Sequence, residues 1–186
     1  MPARLLIVYA TSEGQTARIA DRLALLLRES GVEVIEVNIH DEQPDPSRFD
    51  AVVIGASVHG GSFQAEARQY AERNRKTLSG MPSWFFGVSL SEAGTHPPMD
   101  HPTATRTIEA FLAETAWTPR GWLSVAGAVK YREYSWLKRQ LMKSIVAKYG
   151  PGDTDTSRDY EYTDWAAVDA FAAEIAASLT PRASVA

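Results

Sequence analysis

Continuous apolar runs alternate along the chain with stretches whose apolar positions recur at helical spacing. Leu5–Ala10 is a run of the first kind and predicts a buried strand. Thr16–Ser30 follows at once, with Ile19, Leu23, Leu26 and Leu27 on one face, and predicts an amphipathic helix. The same reading gives strands at Val32–Asn38, Ala51–Ala56, Trp84–Leu90 and Trp122–Ala128. It gives helices at Phe63–Asn74, Thr103–Thr115 and Trp165–Leu179, the last capped by Thr163 or Asp164. The polar, Pro-rich stretch Asp41–Asp50 reads as a loop.

Strands that are apolar throughout, separated by helices, predict an α/β fold: a parallel sheet covered on both faces. Five such strands fit the order 2-1-3-4-5. No internal repeat or linker interrupts the pattern, so residues 1–180 are expected to form one domain, with 181–186 a disordered tail. Val129–Tyr162 does not fit the alternation and is too long for an ordinary connection. It predicts a helical insertion after strand five. Within it Ser135–Tyr149 has an apolar row, Leu137, Leu141 and Ile145, with Met142, Val146 and Tyr149 beside it. Lys138, Arg139, Lys143 and Lys148 are expected on the opposite, outward face.

The segment from Thr11 to Thr16 is the first candidate for chemistry. It joins a buried strand to a helix through Thr11, Ser12, Glu13, Gly14, Gln15 and Thr16. Backbone N–H groups at a helix start, together with the dipole, favour an anion. Three hydroxyls can add hydrogen bonds, and Gly14 lets a ligand approach the backbone. A P-loop would need Lys-Ser or Lys-Thr here, and a dinucleotide fold Gly-x-Gly-x-x-Gly; neither is present. The spacing Thr-x-x-Gly-x-Thr resembles the FMN phosphate loop of the flavodoxin family. The alternative is an ordinary turn with Thr11 or Ser12 as N-cap. With no lysine or arginine in the loop, a bound phosphate would be met by dipoles alone, and the Glu13 carboxylate would have to point away from it.

In a doubly wound sheet, ligands lie beyond the carboxyl ends of the strands. That adds Ser57, Val58, His59, Gly60 and Gly61 after strand three, and Ser89, Leu90, Ser91, Glu92, Ala93 and Gly94 after strand four, as flanks of a flavin ring. His59 is expected near the ring. His96 and His101 read as loop residues and not as metal ligands, and no metal site is expected. Glu92 reads as solvated.

Composition narrows the function. Hydrophobic residues make up 45%, enough for a packed core, and with no cysteine the chain has no disulfide, thiolate metal site or thiol nucleophile. No apolar run approaches the roughly 20 residues of a membrane span. The chain enters its first strand with no room for a signal peptide, and a cytoplasmic location is expected. Charge is uneven: Lys130–Lys148 holds six cations against Glu133 alone, a net +5, leaving −9 on the rest of a chain whose total is −4. Such asymmetry points to a local anionic partner. Nucleic acid would need a broader basic face, and a phosphoreceiver would need an Asp where strand three ends in Ala56-Ser57.

Three segments carry a closer resemblance. Ala126-Gly-Ala-Val-Lys-Tyr-Arg-Glu-Tyr-Ser-Trp136, Gly152-Asp-Thr-Asp-Thr-Ser157 and Glu161-Tyr-Thr-Asp-Trp165 resemble the quinone-dependent protoporphyrinogen IX dehydrogenase family in order and spacing. The likeness extends over essentially the whole chain, and the Thr11–Thr16 loop, with an acid in third place, is similar too. His59-Gly60-Gly61 stands where Arg-Tyr-Gly would be closer to well-known members. The resemblance implies a flavodoxin-like FMN enzyme that oxidises protoporphyrinogen IX to protoporphyrin IX in haem biosynthesis and passes the electrons to a quinone. It implies a porphyrinogen substrate and peripheral contact with the inner face of the cytoplasmic membrane, and it leaves room for a homo-oligomer. Lys130, Tyr131, Arg132, Tyr134, Trp136, Lys138, Arg139 and Lys143 are the residues expected to contact substrate or membrane. No catalytic acid or base is assigned. The competing readings are a flavodoxin-type electron carrier without a small-molecule substrate, and an interaction module that has lost FMN.

Overall fold

The structure is a computed structural model that describes residues 2–179. The expected tail at 181–186 lies outside the described residues. The chain runs β1 (Arg4–Ala10), α1 (Gln15–Glu29), β2 (Glu33–Asn38), β3 (Ala51–His59), β4 (Ser62–Phe63), α2 (Ala65–Gly80) and β5 (Ser83–Ser89). It continues through a short hairpin, β6 (Thr95–His96) and β7 (Met99–Asp100), into α3 (His101–Thr115) and β8 (Gly121–Ala126). The last elements are β9 (Ala128–Val129), α4 (Trp136–Tyr149), β10 (Tyr160–Glu161) and α5 (Trp165–Leu179).

The main sheet has the order β2-β1-β3-β5-β8, all parallel, which is the expected 2-1-3-4-5 arrangement. Alternation along each strand divides the core into two layers. Leu5 and Ile7 of β1 face Ile19, Leu23 and Leu27 of α1 and Val168, Phe171 and Ile175 of α5. Leu6 and Val8 face the other way, toward Tyr70 of α2 and Ile108 and Phe111 of α3. Each of these fully buried apolar side chains contributes about 1.5–3 kcal/mol of burial. Gly55 permits a close strand-to-ring approach: a Cβ there would lie 2.1 Å from the Phe86 ring.

Three boundaries differ from the sequence reading. Phe63 does not begin a helix. It pairs with Val58 across a turn at Gly60–Gly61, where both φ angles are positive, so α2 starts later and runs on to Gly80. The loop at 41–50 contains one 3-10 turn, Pro46–Arg48, capped by the Asp45 carboxylate. Strand five ends at Ala126, and Ala128–Val129 turns off to pair antiparallel with Tyr160–Glu161. Thus the insertion leaves and rejoins the domain through its own two-stranded ladder. It also carries its own small core, in which Val129, Tyr131, Tyr134 and Val146 are buried against Leu90, Met142, Tyr160 and Tyr162.

The faces of α4 depart in part from the expectation: Lys143 and Lys148 are exposed and Met142, Ile145 and Val146 face the protein as expected, but two leucines and two cations do not follow the pattern. Trp136, Leu137 and Leu141 are 72%, 73% and 60% exposed. Lys138 and Arg139 turn inward. Lys138 Nζ donates to Glu13 Oε1 at 2.6 Å. Arg139 donates to the carbonyl oxygens of Tyr131 and Tyr134 at 2.8 and 3.1 Å. The physical reason is that these inward cations find partners, which removes the usual objection to facing a charge toward the protein. The outward leucines find none.

Candidate functional site

The carboxyl ends of β1, β3, β5 and β8 open into one cleft of about 470 Å³. At one end lies the loop between β1 and α1. Gly14 is the N-cap of α1 with φ 79°, a left-handed conformation that favours glycine, and no side chain caps the helix. Thr11 Oγ1 instead accepts from the Gly14 N–H at 3.0 Å and tightens the turn. The leading N–H groups of α1 are therefore left to meet a ligand. Thr16 is 1% exposed, and its Oγ1 is buried without a hydrogen-bond partner. Leaving such a hydroxyl unpaired costs about 1–3 kcal/mol, so an acceptor at this point would recover it. Gln15 is also buried; its amide donates to Thr163 Oγ1, which in turn donates to the Ala126 carbonyl.

One expectation about this loop is corrected. A bound phosphate would not rely on dipoles alone, because Lys130 reaches the loop from the end of β9: its Nζ lies 3.6 Å from where a Cβ on Gly14 would stand. Lys130 borders the cleft and pairs with Glu133 at 3.3 Å. It thus stands at the loop end of the cleft and not on the outer surface. The Glu13 carboxylate turns away from the loop's interior, held by the Tyr134 hydroxyl and Lys138 Nζ, each at 2.6 Å. Burial, and then the hydrogen bond to Glu13, push the Tyr134 hydroxyl above its ordinary range, so it remains a donor. The uncapped helix start, the orphaned threonine and the lysine together fit a phosphomonoester.

The rest of the cleft suits a planar ring. Ser57–Gly61 and Ser89–Ser91 line it, together with Gly127 and Ala128. Pro98, Met99, Thr103 and Thr107 close one side, and Met142 and Ile145 of α4 close another. Ser89 Oγ is the second buried side-chain oxygen without a partner among the described residues. Ser57 Oγ donates to Gln64 Oε1 at 3.1 Å and lies 3.4 Å from His59 Nε2. His59 borders the cleft but is exposed.

Several expected residues do not border the cleft. Ser12 accepts from Gln64 Nε2 on the neighbouring surface. Ala93 and Gly94 lie at the end of the 3-10 turn Leu90–Ala93, behind Ser91. Glu92 is not solvated: Ser124 Oγ donates to it at 2.5 Å, and His101 Nδ1 meets it at 2.7 Å, so it braces the turn against β8 and α3. Tyr131 is fully buried, with its hydroxyl on the Asp153 carbonyl, and Tyr134 is 6% exposed. Tyr131 does not border the cleft, whereas Tyr134 lines it beside Lys138. Arg132, Trp136 and Lys143 are exposed on the insertion and do not border the cleft. Among the described residues no acidic, histidine or cysteine group could hold a metal ion.

Sequence reasoning missed Met142 and Ile145 as walls of the cleft, and Thr103 and Thr107 at its side. The signal was present for α4, whose apolar row is wider than one contact needs. What was missing was the fold of the insertion back over β8.

Residues 6–157 match the flavodoxin domain family. The chain is 35% identical over 174 residues to protoporphyrinogen IX dehydrogenase [quinone] of Escherichia coli strain K12, covering 93% of this chain and 94% of that one. It is 35% identical over 178 residues to the protein of the same name from Leishmania major, covering 94% and 75%. Among solved structures, flavodoxin 1 of Bacillus cereus superposes with a TM-score of 0.57 at 19% identity, over 96% of this chain and 100% of that one. With the parallel sheet, the uncapped phosphate-type loop and the insertion after the fifth strand, these likenesses lead to one conclusion: the chain belongs to the flavodoxin-domain family of quinone-dependent protoporphyrinogen IX dehydrogenases.

Proposed function

We propose that the protein is an FMN-dependent oxidoreductase that converts protoporphyrinogen IX to protoporphyrin IX in haem biosynthesis, with a quinone as electron acceptor. The observation that carries this reading is one cleft. It is lined at the start of α1 by an uncapped helix end, a partnerless Thr16 hydroxyl and Lys130, and its apolar lining includes Met142 and Ile145 of the inserted α4. FMN, when bound, supplies the hydride and electron chemistry. The chain's own residues hold and shield it. Thr16, Thr11, the first N–H groups of α1 and Lys130 hold the phosphate. Ser57–Gly61 and Ser89–Ser91 flank the ring, and Val58, Leu90, Met142 and Ile145 exclude water from its surroundings.

On the same reading the outer face of α4 meets the bilayer in which quinone resides. Trp136, Leu137 and Leu141 supply apolar contact, with Lys143 and Lys148 beside them for anionic headgroups. No helix among the described residues is long and apolar enough to cross a membrane. The contact in this reading is peripheral, at the inner face of the cytoplasmic membrane.

The test is anaerobic mixing of FMN-loaded protein with protoporphyrinogen in the absence of quinone. The expected result is bleaching of the bound flavin's absorbance within the time of one turnover. A protein that binds FMN but is not reduced by the porphyrinogen would be an electron carrier and not this enzyme.

A further inference from the structure

A second cavity of about 270 Å³, lined from α2 and α3, shares Gly61, Thr103 and Thr107 with the lining of the cleft, so the two adjoin. Its apolar wall comes from Phe63, Ala110 and Phe111. Its cations are Arg68 and Arg106. The groove thus offers an apolar surface with guanidinium groups at its edge, beside the place assigned to the flavin ring.

The cations of the insertion are largely committed elsewhere. Lys138 is held by Glu13, Lys130 faces the phosphate loop and Glu133, and Arg139 is bound to two carbonyls. Arg132 and Lys143 do not border the cleft. Arg106, in contrast, is exposed, donates only to the hydroxyl of Thr103 at 2.8 Å, and forms no ion pair among the described residues. Arg68 is 3.7 Å from Glu114 through side chains that are 44% and 59% exposed. A pair so long and so wet is weak and yields readily to a better acceptor. Arginine presents a fork that matches a carboxylate in two hydrogen bonds.

We propose that this groove is the seat for the carboxylate-bearing edge of the substrate, with Arg106 and Arg68 as its cationic contacts. The proposal rests on the porphyrinogen reading above. A substrate that is apolar over most of its area and carries propionates at one edge would lay its rings toward the cleft, over Gly61, and its carboxylates toward α3.

The experiment compares protoporphyrinogen IX with its dimethyl ester, in one detergent, for the wild type and for Arg68→Gln/Arg106→Gln. In the wild type the ester should have a KM about tenfold or more higher than the free acid, the scale of a lost charge-assisted hydrogen bond. The double variant should show that raised KM for the acid and little further change for the ester. Its FMN affinity and its KM for quinone should match the wild type. Glu114→Gln, which removes the competing carboxylate, should lower the KM for the acid. An acid-to-ester ratio in the double variant equal to that of the wild type would overturn the subsite while leaving the function intact. Absence of turnover of either compound by FMN-loaded wild type would overturn the porphyrinogen reading itself, and the subsite with it.

Discussion

Glu13 of the phosphate-type loop and Lys138 of the inserted helix meet at 2.6 Å, with the Tyr134 ring 4.3 Å from the same ammonium. An acid in a loop built for an anion is an electrostatic contradiction unless its charge is compensated. The insertion provides that compensation. Removing only the cation should therefore be worse than removing both. Lys138→Met should weaken FMN binding by about tenfold, or about 1.4 kcal/mol. Glu13→Gln/Lys138→Met should recover most of that loss. Titration of apoprotein by quenching of flavin fluorescence measures both. Equal affinities in the single and double variants would show that Glu13 does not act on the phosphate.

Thr16 carries one of the two buried side-chain hydroxyls without a partner among the described residues, and it lines the cleft at the start of α1. Thr16→Val keeps its shape and removes the donor. The folded apoprotein should be at least as stable as wild type, because an orphaned polar group is gone. FMN affinity should fall by about 1.5–3 kcal/mol, roughly one to two decades. A variant with unchanged flavin affinity would move the phosphate away from this loop.

The outer face of α4 gives a test of surface contact that spares the cofactor. Trp136→Ser/Leu137→Ser/Leu141→Ser removes three exposed apolar groups from a helix held from its other side by Val146, Met142 and Arg139. Each contributes about 1 kcal/mol on partial insertion in an interface, so partitioning onto phosphatidylglycerol-containing vesicles should drop about a hundredfold or more. FMN affinity should not change. Vesicle binding at the wild-type level would remove the membrane from the account of α4. Reversing Lys138 or Arg139 would be a poor version of this test, since Lys138 pairs with Glu13 of the loop and Arg139 holds the insertion's own backbone.

Glu36 of β2 is half-buried and hydrogen-bonded to Asp21 of α1. Burial first, and then the charge of Asp21, push its carboxyl up to about 7 from an ordinary 4.5. Between those values the folded chain holds a proton that the unfolded chain has lost, so stability falls as pH rises through this window. Allowing for solvent screening at a half-exposed site, the loss is about 1–2 kcal/mol. Urea unfolding of Glu36→Gln should match wild type near pH 4 and exceed it near pH 8. Parallel pH profiles would show that Asp21, and not Glu36, carries the shared proton.

The sheet was legible because its strands are apolar throughout: Leu5–Ala10, Ala51–Ala56 and Trp84–Val88 leave no polar face to misread. The phosphate-type loop was legible for a similar reason, since its chemistry is local, one glycine and three hydroxyls between a strand and a helix. What escaped the sequence depends on distant partners. Lys138 looks like a surface residue until Glu13, far away in the chain, takes its charge. Glu92 looks solvated until Ser124 of β8 comes beside it. Leu141 sits in the same helical row as Ile145, yet one is exposed and the other borders the cleft, because the contact face lies between the two rows. Periodicity shows that a helix has faces. It does not show which one a folded-back insertion will bury.

The central claim is that one cleft combines FMN with oxidation of a porphyrinogen and transfer of electrons to quinone. The most direct measurement is anaerobic steady-state formation of protoporphyrin, followed by its fluorescence, with a soluble quinone as acceptor. The account predicts porphyrin formation that requires both FMN and quinone, ceases in apoprotein and returns on adding FMN. A protein that binds FMN, yet forms no porphyrin with any quinone supplied, would contradict it.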